Sequence, residues 1–167
     1  MRLVTLFFFF NFFLCTSAYC NKIIKINIDG NERIDDDTII SYLNLDKDQD
    51  VDVSDLNIIF KELFSTELFS KIIFNIKDNI LIIKVKENPI INRIVLEGNR
   101  RVKDDDILPE ILLKPRDVLT LNKVKNNLQK ILGIYRGNGR YAAVVNPKVI
   151  YLEQNRVDLV FEIEEGP

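Results

Sequence analysis

Histidine and tryptophan are absent from the 167 residues, and cysteine occurs only as Cys15 and Cys20. The missing histidine removes the commonest general base and the commonest zinc ligand. No hydroxyl or thiol stands in a pattern with another base, and no set of side chains has metal-ligand spacing. No catalytic residue, cofactor or metal is therefore expected. A basic excess is missing too: 23 basic and 25 acidic side chains give a formal charge of -2, so nucleic acid is not expected as a partner. Long apolar segments are equally lacking. The single run, residues 3–14, is broken by Asn11 and falls short of the roughly 20 residues that cross a hydrocarbon core.

That short run is nevertheless informative. Arg2 precedes it, and Thr16-Ser17-Ala18 follows with small residues where a signal peptidase requires them. Residues 1–18 therefore read as a cleaved signal peptide, with an uncleaved anchor as the alternative. Cys15 would leave with the leader and Cys20 would remain alone, so no intramolecular disulfide is available in the oxidising compartment. Lipid attachment at Cys20 is disfavoured by Tyr19 beside it. Beyond the leader, apolar content is ample for a packed core: 47% apolar and 29% charged overall is the balance of a folded chain.

The dominant feature is an internal repeat. Ile26-x-Ile28-x-Gly30-Asn31-x-Arg33-Ile34 returns as Ile94-x-Leu96-x-Gly98-Asn99-x-Arg101-Val102, each followed by three aspartates. Ile83-Lys84-Val85-Lys86-Glu87-Asn88-Pro89 corresponds to Phe161-Glu162-Ile163-Glu164-Glu165-Gly166-Pro167. Two units with the same beginning and end follow, residues 21–88 and 89–167, joined at Asn88-Pro89-Ile90 with almost no slack.

In the first unit Ile24, Ile26 and Ile28 alternate with polar residues, which predicts a half-buried strand ending in a Gly30-Asn31 turn. The aspartates 35–37 cap a short helix with Ile39, Ile40 and Leu43 on one side. A second helix starts after Ser54 and carries the stripe Leu56, Ile59, Phe60 and Leu63. Two strands follow, with Ile72, Phe74 and Ile76 on one face of the first and Leu81, Ile83 and Val85 on one face of the second, turning at Asp78-Asn79. Phe60, Phe64, Phe69 and Phe74 are expected to be mostly core. The second unit repeats the order. Ile94 and Leu96 form a strand, residues 107–112 a short helix for which Pro109 favours Asp106 as cap, and Thr120 caps a longer helix. That helix should bury Leu121, Val124, Leu128, Ile131 and Leu132 and stop at Gly133. Residues 141–145 and 157–163 provide the last strands. The result is an α+β chain of two tandem β-α-α-β-β units, each a three-stranded mixed sheet covered on one face by two helices.

Other motifs are read as structure. Asp46-x-Asp48-x-Asp50 imitates a calcium loop, but Val51 stands where such a loop turns on Gly and Asn57 replaces its bidentate Glu, so a solvated loop is expected. Gly137-x-Gly139 precedes a strand rather than opening a helix, and reads as a turn rather than a phosphate site. Arg100-Arg101-x-Lys103 reads as a solvated loop.

The β-α-α-β-β order resembles the POTRA domains of BamA-type outer-membrane assembly factors, specifically their first two. The stretches that carry the resemblance are Leu63-Phe64-Ser65-Thr66-Glu67-Leu68-Phe69, Val85-Lys86-Glu87-Asn88-Pro89-Ile90-Ile91, Gly98-Asn99-Arg100-Arg101-Val102-Lys103-Asp104-Asp105 and Asn155-Arg156-Val157-Asp158-Leu159. Tyr135 and Gly139-Arg140-Tyr141 resemble the family's helix-to-strand turn, with Gly139 allowing the reversal and Tyr141 beginning the next strand. The resemblance implies a periplasmic location at the outer membrane. It also implies docking of accessory assembly lipoproteins, handling of unfolded outer-membrane proteins, and a C-terminal transmembrane barrel. No barrel strands, each of roughly 9–11 residues, appear before Pro167, so the chain is expected to be part of a longer protein or a truncated product.

The expected activity is binding through a sheet edge. In this topology the strand after the helices is outermost, which exposes Lys71-Ile72-Ile73-Phe74-Asn75-Ile76-Lys77 to pairing with an incoming extended segment. Pro147 would interrupt the equivalent edge in the second unit. Two rival readings remain. A division protein displaying POTRA domains from an inner-membrane anchor would need a longer apolar run and would ordinarily have one unit. A two-partner-secretion transporter would carry a Pro-rich segment ahead of its POTRA domains.

Overall fold

The computed structural model describes residues 21–43 and 50–167. The leader reading of residues 1–18, Cys15, Cys20, Asp46 and Asp48 lie outside the described residues.

The first unit runs β1 (Asn21–Lys22), β2 (Lys25–Asp29), α1 (Asp36–Leu43), β3 (Asp50–Val51), α2 (Val53–Ser65), β4 (Phe69–Lys77) and β5 (Ile80–Glu87). The second runs β6 (Ile90–Glu97), α3 (Asp104–Ile107) with a 3-10 turn at Leu108–Glu110, α4 (Leu121–Gly137), β7 (Val144–Leu152) and β8 (Arg156–Glu164). In each three-stranded sheet the last strand is central, parallel to the first strand of that sheet and antiparallel to the one before it, giving the orders β2-β5-β4 and β6-β8-β7. The tandem three-stranded mixed sheets with helices follow the expected fold class. A ribbon of β1 and β3 is an addition the residue pattern did not indicate.

Local chemistry sets these boundaries. Asp35 Oδ1 accepts the Thr38 N–H at 2.7 Å and starts α1. Asp52 and Asp55 exchange side-chain to backbone bonds of 2.9 and 3.0 Å, a reciprocal cap for α2. Thr120 Oγ1 accepts the Lys123 N–H at the start of α4. Asp78 and Asn79 both have positive φ (50° and 63°), the mirror-image turn whose twist suits a two-residue hairpin. Ile39, Leu43, Ile59 and Leu63 from the helices close on Leu81, Ile83 and Val85. Ile107, Val124, Ile131 and Tyr135 close on Val157, Leu159, Phe161 and Ile163. Each large side chain buried in this way contributes about 1.5–3 kcal/mol relative to exposure.

Several boundaries and faces differ from expectation. α2 begins at Val53 rather than after Ser54, because Asp52 supplies the cap. Ile40 and Phe60 are exposed: the i, i+4 pairs Ile39/Leu43 and Ile59/Leu63 define the buried lines, and the next residue is rotated about 100° away. Phe64 is exposed as well, leaving Phe69 buried and Phe74 partly so. Leu121, the first residue of α4, is 69% exposed. Asp106 is not a cap. α3 follows Lys103, and Pro109 is accommodated by the switch to a 3-10 turn. Gly133 sits inside α4, which continues four residues to Gly137 under the pull of buried Tyr135. Tyr141 is 80% exposed in a turn, and the strand begins only at Val144.

Candidate functional site

The repeated Gly-Asn step builds the same joint twice. Gly30 has φ +91° and Gly98 +88°, and a Cβ there would lie 2.3 Å from the Val85 carbonyl oxygen and 2.1 Å from that of Ile163. Glycine is required because the turn presses against the central strand of its own sheet. Asn31 Nδ2 donates to the Ile34 carbonyl and to Asp36 Oδ1 at 2.7 and 2.8 Å; Asn99 Nδ2 donates to the Val102 carbonyl and Asp104 Oδ1 at 3.1 and 2.6 Å. Each turn is thus tied to the helix after it.

A carboxylate completes each joint. Glu87 Oε1 accepts the N–H groups of Glu32, Arg33 and Ile34, all at 2.9 Å, while Oε2 has no hydrogen bond among the described residues and faces Arg33 Nε at 3.4 Å. Glu165 accepts the Arg101 and Val102 N–H groups and, at 3.1 Å, the Tyr135 hydroxyl. Burial works to raise the Glu165 carboxyl, yet the two amides and the phenol outweigh it and hold the group below its ordinary range. Burial and the adjacent carboxylate push the Tyr135 phenol well above its ordinary range. Glu87 and Glu165 occupy matching places in the repeat, and that coincidence was the signal in the sequence for a role it did not specify. Buried Asn127 was missed altogether. Its Oδ1 accepts the Leu112 and Leu113 N–H groups and its Nδ2 donates to the Lys123 carbonyl, pinning the irregular 111–113 segment to α4.

With the joints closed, the sheet edges are placed. Lys71, Ile72, Ile73, Phe74, Asn75, Ile76 and Lys77 all lie in the nine-residue β4, at an edge of the first sheet. Ile72, Phe74 and Ile76 face the helices, while Lys71, Ile73, Asn75 and Lys77 are exposed on the other face. Among the described residues no strand pairs with the outer side of β4. The other edges are poorer. β2 has five residues, β7 contains Pro147, and residues 116–118 cover the start of β6 through Ile91 N–H to Asp117 and Arg116 N–H to Ile91. Gly139 has φ +74° in the turn after α4, as expected of that glycine.

The two units meet where β4 begins. Asn88 donates through its N–H to the Leu68 carbonyl and through Nδ2 to the Glu67 carbonyl, both at 2.7 Å, so the join is held tightly. Across the join Asn155 Nδ2 donates to the Glu87 carbonyl at 3.5 Å, and Lys123 Nζ lies 2.6 Å from Glu67 Oε2. A cleft lined by Phe64, Glu67, Phe69, Asn88, Thr120 and Leu121 opens beside this join. Phe64 stacks on Phe60 with ring centroids 5.6 Å apart.

The family model for POTRA, described as a surface antigen variable number repeat, matches residues 89–166. Residues 89–166 belong to the POTRA family. The first unit has the same strand order, the same glycine turn and the same carboxylate joint, and is a second copy of the POTRA fold. The chain is 26% identical over 154 residues, 92% of its length, to the outer membrane protein assembly factor BamA of Neorickettsia risticii, and spans 21% of that relative's length. Among solved structures it resembles the N-terminal domain of Omp85 from Thermosynechococcus elongatus (TM-score 0.61, 15% identity, 87% of this chain and 63% of that one). It also resembles POTRA1-2 of Omp85 from Anabaena (TM-score 0.53, 14% identity, 87% and 96%). At such identities these structures speak for the POTRA fold alone.

Proposed function

We propose that the chain is the POTRA region of an outer-membrane protein assembly factor, exported by a signal peptide at residues 1–18 and working at the periplasmic face of the outer membrane. Residues 21–88 and 89–167 are its two POTRA domains. It acts as a non-enzymatic scaffold that receives unfolded outer-membrane proteins and docks accessory assembly lipoproteins, tethered by a C-terminal barrel beyond this sequence. Support for this reading comes from the relatives named as assembly factors.

The observation that carries the binding mode is the long edge of β4 (Phe69–Lys77), unpaired among the described residues and uninterrupted by proline. An extended client segment would add there as a fourth strand. Backbone N–H and C=O groups are common to every peptide, so binding is weak and broad, with alternate side chains adding modest discrimination. The cleft beside Phe64 and Leu121 offers apolar room where the added strand passes the join.

The experiment is an amide NMR titration of the chain with a peptide from an outer-membrane barrel strand. Shifts should concentrate along residues 71–77. Shifts confined to α1 and α2 would refute edge binding and assign recognition to the helical face. Asn75→Pro and Ile76→Pro sharpen the test, because neighbouring amides point to opposite sides of a strand. One variant should weaken peptide binding while the fold persists, and the other should break the ladder to β5 and lower stability.

A further inference from the structure

The open face of the first sheet, the one turned away from the helices, carries an arrangement of charge that edge pairing does not use. Residues 21–88 contain 14 acidic and 9 basic side chains, so this domain is acidic as a whole. Its acids gather at loops and helix starts, among them Asp35, Asp36, Asp37, Asp52 and Asp55. Five of the nine cations nevertheless stand on one sheet face. Read across the strands, its rows are Lys25–Ile80–Lys77, Asn27–Ile82–Asn75, Asp29–Lys84–Ile73 and Lys86–Lys71. All five lysines are exposed, and Asp29 is the one acid among them, 3.8 Å from Lys84. Lys25 and Lys77 are about 10 Å apart across two strand spacings.

Lys71 and Lys86 are directly opposite each other, a like-charge pair that disfavours the isolated sheet. Among the described residues neither has an acid partner. The cations are all lysine, a hydrated point charge on a flexible stem, whereas fixed bidentate recognition of a single carboxylate or phosphate uses arginine. Exposed Ile73 lies among them. A flat lysine field with apolar residues between its charges complements a broad anionic surface rather than one anion.

We infer that the open sheet face of the first POTRA domain, through Lys25, Lys71, Lys77, Lys84 and Lys86, rests on the anionic headgroups of a phospholipid bilayer. The side chains stand perpendicular to the sheet while the β4 edge groups lie in its plane, so a bilayer and an added strand can be held together. Asp36, Asp37, Asp52 and Asp55 stand at the starts of the helices on the other side of the sheet, and Asp29 alone shares the lysine face, an asymmetry that orients the domain on the membrane.

The test is sedimentation of the full chain with vesicles of phosphatidylcholine and phosphatidylglycerol in equal parts, against phosphatidylcholine alone. The apolar run 3–14 is common to every variant and cancels in the comparison. Binding to the anionic vesicles should exceed binding to phosphatidylcholine alone, and that gain should weaken with added salt. Each lysine at an anionic surface is worth about fivefold in partition, so Lys86→Glu, which removes one charge and adds its opposite, should weaken binding on the order of 25-fold. The same substitution sets an acid opposite Lys71, so unfolding midpoints should hold or rise and loss of fold cannot explain the result. Lys61→Glu on α2 makes an equal change in net charge and should leave binding unaltered. Lysine acylation on vesicles should protect Lys71, Lys77, Lys84 and Lys86 but not Lys61 or Lys125. Equal loss with Lys61→Glu, uniform protection, or binding indifferent to anionic lipid would overturn the inference. So would an effect of Lys86→Glu on self-association alone, which would assign the face to a second copy. Peptide shifts along β4 should persist in Lys86→Glu, so the membrane face and the edge fail separately.

Discussion

Replacing Gly98 by alanine adds one methyl group, and the surroundings leave it nowhere to go. At φ +88° an L side chain is strained, which costs on the order of 1–3 kcal/mol. The new Cβ would also lie 2.1 Å from the Ile163 carbonyl oxygen, a backbone atom of central strand β8. Relief requires β8 or the turn to move, and β8 is held by β6 on one side and β7 on the other. Overpacking of this kind adds about 1–3 kcal/mol, for a total of about 2–6 kcal/mol. A domain of this size has roughly 4–12 kcal/mol of stability, so Gly98→Ala should remove a large part of it. Gly133→Ala is the control: inside α4, with nothing of the described residues beyond its own stretch of helix within 4 Å of the added Cβ, it should stabilise by about 0.5–1 kcal/mol. Urea denaturation followed by far-UV circular dichroism gives the midpoints, and hydrogen exchange assigns the loss to residues 89–167. Equal midpoints for Gly98→Ala and wild type would refute the reasoning, as would a loss for Gly133→Ala as large as that for Gly98→Ala.

Asn127→Ala should cost about 1–3 kcal/mol, because the Leu112 and Leu113 N–H groups lose their acceptor in a buried setting; thermal unfolding measures it. Acid should destabilise the second domain: the Glu165 carboxyl is depressed on folding, so its contribution is complete above the unfolded value of about 4.3 and disappears as pH falls through the lower folded value. Asp158, held low by Asn92 and Arg93, acts in the same direction, and Glu165→Gln should flatten the acid slope of the unfolding midpoint. Export should remove the leader after Ala18, and intact-mass measurement would show its loss; retention of Met1 in a membrane-bound product would point to an anchor.

The repeat, the strand-helix-strand order and the hairpin at Asp78-Asn79 were legible in the residues because they are local. Alternation, turn chemistry and capping depend on neighbours a few positions apart. So was the edge position of residues 71–77, since this topology leaves few places for the strand after the helices. Exposure of Phe60, Phe64 and Leu121 was not legible, because an apolar stripe is wider than the contact a small sheet can offer and only packing selects which members are covered. The helix end at Gly133 was misread for a related reason: Tyr135, buried against the sheet and bonded to Glu165, holds α4 together past a glycine that propensity alone would let it fray from. Tertiary structure alone decided the roles of Glu87 and Glu165. Each accepts backbone amides of a turn more than fifty positions away, and no local rule relates the two ends. It likewise decided that five lysines scattered over residues 25–86 share one face, because that juxtaposition depends on strand register across the sheet, which pairing and burial set together.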